Sequence, residues 1–221
     1  MAAPGHHASM GSASRLLGLS AAWLGYGFLH SLLASLAVKR WTAAHRPGLM
    51  PAYRLLYNLV ALLALLPFGF WLLADPGPCL WRWTGPWRWA ADGLALAALA
   101  ALLLPGSPYD TGAFLGWRPW RAGRTDAGDS EPFRIGFLHR FVRHPWYALS
   151  LVLLWTRDMT ALRLVSALWI TAYFIVGSRL EERKLIAAHG DRYRRYRARV
   201  AGLLPLPWKT LSRAEARDLE A

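Results

Sequence analysis

Two short polar runs hold the groups in this chain best suited to chemistry at a membrane boundary. Arg143-His144-Pro145-Trp146-Tyr147 gathers a cation, an imidazole and a phenol within one helical turn. Glu181-Glu182-Arg183-Lys184-Leu185 follows after one strongly apolar stretch and supplies two adjacent carboxylates. A proline at the first helical position loses nothing by lacking its N–H, and a helix start there aims N–H groups and a positive dipole end at an anion. Neighbouring helical positions point about 100° apart, so one Glu faces inward and the other water, and the sequence does not choose between them. The plainer reading is interfacial anchoring by Arg143, Trp146 and Tyr147, with Glu181 and Glu182 paired to Arg179, Arg183 or Lys184 on a solvated face.

Other polar groups sit within or beside apolar runs. His30 lies eight residues before the end of a run at 16–38, about 12 Å into hydrocarbon, where an ionisable group is a functional candidate by default. Ser31 and Ser35 extend its polar stripe. Asn58 and Asp110 are substrate-facing candidates with an alternative use as caps or loop hydrogen-bonders.

The elements that must position these residues are membrane helices. With 55% hydrophobic residues, 13 Trp and positive mean hydropathy in 221 residues, the composition is too apolar for an ordinary soluble domain. Apolar runs at 16–38, 55–74, 87–104, 145–155 and 159–178 predict five transmembrane helices of an all-α polytopic membrane protein. The fourth is short: residues 145–157 make about 20 Å of helix, so its start is expected below the interface. Lys and Arg number four in 39–54, six in 106–145 and eleven in 179–221, which places those segments in the cytoplasm and the N-terminus outside, in a bacterial inner membrane.

The same rule and attraction to anionic lipid account for the net charge of +13, so no nucleic-acid partner is expected. A single cysteine, Cys79, allows no intrachain disulfide and no thiolate cluster, His6-His7 is too short a tract for a metal site, and no metal is expected. The expected divisions are a disordered 1–14, three spans in 15–105, a cytoplasmic loop or lid at 106–143, a helical hairpin with its following segment at 144–207, and a tail at 208–221. Gly190 is expected to end the fifth helix, a short basic helix follows, and Pro205 and Pro207 stop it. Oligomeric state is left open.

Arg143-His144-Pro145-X-Tyr147, Glu181-Glu182-X-X-Leu185, Gly190-X-X-Tyr193-X-X-Tyr196 and Val200-X-X-Leu203-Leu204-Pro205, as an ordered set, resemble the membrane methyltransferases related to isoprenylcysteine carboxyl methyltransferase and phospholipid methyltransferase. The resemblance covers about residues 137–207. It implies S-adenosylmethionine as cofactor, bound by His144, Pro145, Tyr147, Glu181, Glu182 and Tyr193; a thiol acceptor would need a base or a nearby cation, for which position makes His30 and Arg143 the catalytic candidates, with Asn58 and Asp110 toward a small-molecule or lipid substrate. The turn Trp155-Thr156-Arg157-Asp158-Met159-Thr160, in place of an Asn-Pro, looks closer to methanethiol S-methyltransferases and so to a thiol acceptor. His30-Ser31 and Tyr53-Arg54-Leu55-Leu56-Tyr57-Asn58 are also similar to NnrU proteins and ζ-carotene isomerases. That similarity implies an alternative in which His30 and His144 ligate haem b.

Overall fold

The computed structural model describes residues 6–74, 77–103, 112, 115–123 and 133–220, with side chains from residue 13 onward. Helices dominate: α1 (His6–Ala34), α2 (Leu36–His45), α3 (Tyr53–Ala74), α4 (Gly85–Leu103), α5 (Trp117–Arg121), α6 (Pro145–Trp155), α7 (Ala161–Arg199) and α8 (Arg213–Glu220). Single 3-10 turns at Pro47–Ala52 and Leu138–Arg140 and two very short strands, β1 (Cys79–Trp81) and β2 (Met159–Thr160), complete the described elements.

Among the described residues three helical segments are long and apolar enough to cross a membrane, Ala13–Ala34, Pro47–Ala74 and Ala161–Arg199. Their surfaces explain why the chain needs a bilayer. In α1 and α3, Leu17, Phe28, Phe70 and Leu73 are each at least 70% exposed, an arrangement stable only where the surrounding solvent is itself apolar. The 19-residue α4 and the 11-residue α6 do not meet the same measure, so the fold is that of an all-α membrane protein with three clear spans.

The chain divides into two compact units. The first comprises 1–82, 111–128 and 158–170. Its core is Leu19, Phe68 and Leu162, wrapped by Trp23, Tyr26 and Trp71, and Trp23 Nε1 donates to the buried Ser166 Oγ at 2.9 Å. The first apolar run does not continue to residue 38 as expected: α1 ends at Ala34, and Ser35 caps a new helix by accepting from Val38 N. A serine oxygen that satisfies an otherwise orphaned N–H outweighs the apolar pattern of Leu36, Ala37 and Val38. His30 consequently lies four residues from its helix end, not eight. At one end of α3, Gly116 meets the backbone at a φ of 90°, and a Cβ there would lie 2.6 Å from Leu55 N, so only glycine fits. At the other end β1 and β2 pair antiparallel, Cys79 opposite Thr160 and Trp81 opposite Met159.

The second unit comprises 83–110, 129–157 and 171–221. α4 lays the small buried residues Ala91, Ala95 and Ala98 toward its neighbours and packs on α6, as close helix approach in a membrane requires. Arg157 reaches Asp92 Oδ1 at 3.0 Å. α7 leaves helical geometry at Gly190 (φ 58°, ψ −132°), and beyond it Tyr193, Tyr196 and Val200 pack with Ile135, Leu211 and Ala216 into the unit's core.

Candidate active site

The site forms where the start of α6 meets the polar half of α7, inside the second unit. Pro145 begins α6, and no side chain caps that start; its N-cap residue His144 instead ties its backbone N to Gly202 O at 3.1 Å. Arg143 N donates to Ala201 O at 2.8 Å alongside a parallel bridge between Val142 and Ala201. These bonds fasten the residues before α6 to the chain just after α7, so Arg143 and His144 face Glu181 and Glu182 by construction.

Glu182 is the inward carboxylate. It is 7% exposed; its Oε1 accepts from Arg143 Nε at 2.8 Å, lies 2.7 Å from Arg143 Nη2, and is 3.2 Å from His144 Nε2. A carboxylate this deep in protein is stable only when paired and hydrogen-bonded, and the fork of Arg143 supplies both. Arg143 Nη1 also donates to the carbonyls of Arg197 and Val200, which closes the last turn of α7. The residue expected to be catalytic therefore spends its donors on Glu182 and two carbonyls. Glu181 is the outward partner, with a side chain 44% exposed, and its Oε2 accepts from Tyr147 Oη at 3.4 Å.

Both ring nitrogens of His144 meet carboxylates, Nδ1 facing Glu181 at 3.4 Å and Nε2 facing Glu182. Burial favours the neutral ring, but hydrogen bonds and charge from Glu181 and Glu182 outweigh it and hold the pKa above the ordinary 6.5. Tyr147 stacks on the His144 ring at 5.5 Å and on Phe174 at 4.6 Å, which fixes both polar tips. Beside them His139 is 4% exposed, and burial, followed by the charge of His144, pushes its pKa down to about 4.

The remaining expected residues are placed as follows. Tyr193, 2% exposed, packs edge-on to Phe133 and Tyr196 in the core. His30 and Asn58 belong to the first unit: Tyr57 Oη hydrogen-bonds the His30 ring, and Asn58 Nδ2 donates to Leu115 O at 3.1 Å. Asp110 and the stretches 106–111, 113–114 and 124–132 of the expected lid lie outside the described residues. No group of three or more His, Cys, Asp or Glu among the described residues is arranged to hold a metal ion.

Comparison with known proteins decides the family. The chain is 34% identical over 189 residues to a methanethiol S-methyltransferase of Mycobacterium tuberculosis, covering 80% of this chain and 73% of that one. It is 33% identical to methanethiol S-methyltransferase 2 of Bradyrhizobium diazoefficiens, covering 81% and 69%, and 31% identical to the methanethiol S-methyltransferase of a Pseudomonas strain, covering 80% and 68%. The chain belongs to the methanethiol S-methyltransferase family. No protein-family model and no solved structure matches it. The structure draws attention to two residues that the sequence leaves unassigned, His139 and Tyr57. Tyr57 stands in a run singled out for its resemblance, whereas nothing in the sequence marks His139 as buried beside His144.

Proposed function

We propose that the protein is an integral-membrane methyltransferase that moves the methyl group of S-adenosylmethionine to a small or lipophilic thiol, with methanethiol the first acceptor to test. Identity to named methanethiol S-methyltransferases over about four-fifths of the chain carries this reading.

The residues present suit the cofactor. The uncapped start of α6 is a place for its carboxylate, and the half-exposed Glu181 carboxylate, oriented by Tyr147 and His144, is a place for its ammonium or ribose hydroxyls. When bound, it supplies a methyl carbon on a positively charged sulfur. The protein's part is to bind, align and keep the site dry, and alignment alone lowers a two-body barrier by several kcal/mol, about 7 or more in the best cases. Glu182 and Arg143 hold His144 and the 197–202 turn in place, and Tyr193 supports that wall from the core. The thiol reacts as thiolate, so a base must take its proton, and His30, inside α1 and bonded to Tyr57, fills that role.

The alternative, haem b between His30 and His144, is disfavoured by the partners of His144: both its nitrogens face carboxylates, which leaves neither lone pair for iron. We read the topology as five crossings in an inner membrane with the N-terminus outside, α4 and α6 completing the three clear spans, and the C-terminal segment cytoplasmic. The test is labelled-methyl transfer by detergent-purified protein across methanethiol, longer thiols, prenylated cysteine and phospholipid. Transfer to thiols is expected, whereas transfer to none would overturn the reading.

A further inference from the structure

A half-exposed carboxylate such as Glu181 serves a ligand well only while it is held in one orientation, and here the hold runs through a ladder of three rings. Glu181 Oε2 accepts from Tyr147 Oη at 3.4 Å and lies 3.4 Å from His144 Nδ1. The Tyr147 ring stacks on His144 at 5.5 Å with the planes 8° apart, and its other face meets Phe174 at 4.6 Å and 9°. His144 is anchored through its backbone to Gly202 and through Nε2 to Glu182. The other flank of Tyr147 is Phe174, whose apolar ring works by contact alone.

Phe174 and Glu181 stand seven residues apart on α7, almost two full turns, so they share a face of one helix. The next residues, Ile175 and Val176, are exposed as lipid-facing side chains are, whereas Phe174 is half-buried. One helix thus carries both the carboxylate and the ring that backs its hydrogen-bond donor, all within the second compact unit. We infer that Phe174 is a positioning residue for S-adenosylmethionine binding, holding the Tyr147 ring so that its hydroxyl keeps Glu181 aimed. This rests on the methyl-transfer reading above. Phe174 enters only through Tyr147, and a stacked aromatic pair is worth about two- to tenfold in an equilibrium beyond the area it buries.

Val176 supplies an internal control, an exposed apolar residue of the same helix two positions from the stack. Full-length wild type, Phe174→Leu, Phe174→Tyr and Val176→Ala are titrated in detergent with S-adenosylmethionine by calorimetry, then assayed for methyl transfer to methanethiol at saturating donor. Phe174→Leu keeps apolar bulk but loses the stacking face. It should weaken S-adenosylmethionine about two- to tenfold and leave kcat nearly unchanged, because the lost hold serves ground state and transition state alike. Phe174→Tyr retains the ring and should bind as wild type does, as should Val176→Ala. In a Tyr147→Phe background, which lacks the hydroxyl, Phe174→Leu should weaken binding no further. If Phe174→Leu does not fold, Phe174→Met takes its place and the same outcomes decide.

Unchanged binding by Phe174→Leu, an equal loss in Phe174→Tyr or Val176→Ala, a loss confined to kcat, or the full loss persisting beside Tyr147→Phe overturns the assignment while leaving methyl transfer intact. Wild type that neither binds S-adenosylmethionine nor methylates a thiol overturns both.

Discussion

At the scale of single residues the two adjacent glutamates separate into different jobs. Glu182 shares its oxygens with Arg143 and His144 behind protein, so Glu182→Ala strands a buried cation and should destabilise by about 3 to 5 kcal/mol. Glu181 is half exposed, so Glu181→Ala should cost under about 1 kcal/mol. Thermal melts in detergent read the difference, and calorimetry should show Glu181→Ala weakening S-adenosylmethionine at least about tenfold, the size of one lost charge-assisted contact. Which glutamate points inward could not be read from the sequence, because it depends on how α7 is rotated against α6. That a pair of carboxylates meets Arg143 and His144 was legible from residue types alone.

The neighbouring histidines titrate in opposite senses. His144 is raised above 6.5, so the stability it contributes is full below that pH and fades as pH rises through its folded value. His139 binds its proton near 6.5 when unfolded but only near 4 when folded, so stability falls as pH drops across that window. The loss should reach about 3 kcal/mol at the acid end, and His139→Gln should flatten that limb of a Tm-against-pH curve while leaving the alkaline limb in place.

Among the elements, the long apolar helices were readable because periodicity gives way to uniform hydrophobicity once lipid is the solvent. Gly190 was readable as a break, since a φ of 58° is costly for any residue with a Cβ. The end of α1 was not, because the serine cap at 35 interrupts a run whose apolar character continues. β1 and β2 were also invisible, as strands of three and two residues carry no period. The two glycines at positive φ make a graded prediction. Nothing lies near a Cβ at Gly190, so Gly190→Ala should cost only backbone strain, about 1 to 3 kcal/mol, read as a drop in Tm. Gly116→Ala adds collision with backbone at Arg54 and Leu55 and should cost more, releasing α5 from the start of α3. Faster proteolysis near residue 120 in that variant, and not in Gly190→Ala, would show the release.

For the whole molecule, charge and pairing together constrain the sides of the membrane. The Lys- and Arg-rich segments 39–54 and 115–121 flank one end of α3, where Gly116 meets Leu55, while β1 after the other end pairs with β2 in the turn before α7. A segment hydrogen-bonded to that turn must share its side of the bilayer, so Cys79 and Met159 go together, away from the basic segments. If those basic segments are cytoplasmic, an N-terminus outside and a C-terminus inside require an odd number of crossings. Three clear spans or five both satisfy parity by count, but 115–121 can flank the basic end of α3 only if α4 crosses, as in the five-crossing reading proposed above. α4 follows β1, so a crossing α4 carries the chain back to the basic side before residue 115, and α6 must then return it to the β2 turn; neither can cross without the other. Cys79, exposed and the chain's one cysteine, reports directly which side of the bilayer the β1–β2 pair occupies. An impermeant maleimide added to intact cells should label it. In a Cys79→Ser background, Trp208→Cys, at a position 76% exposed, should react only after permeabilisation. Labelling of both without permeabilisation would sink the orientation, and with it the placing of Arg143, His144 and Glu182 at the cytoplasmic face.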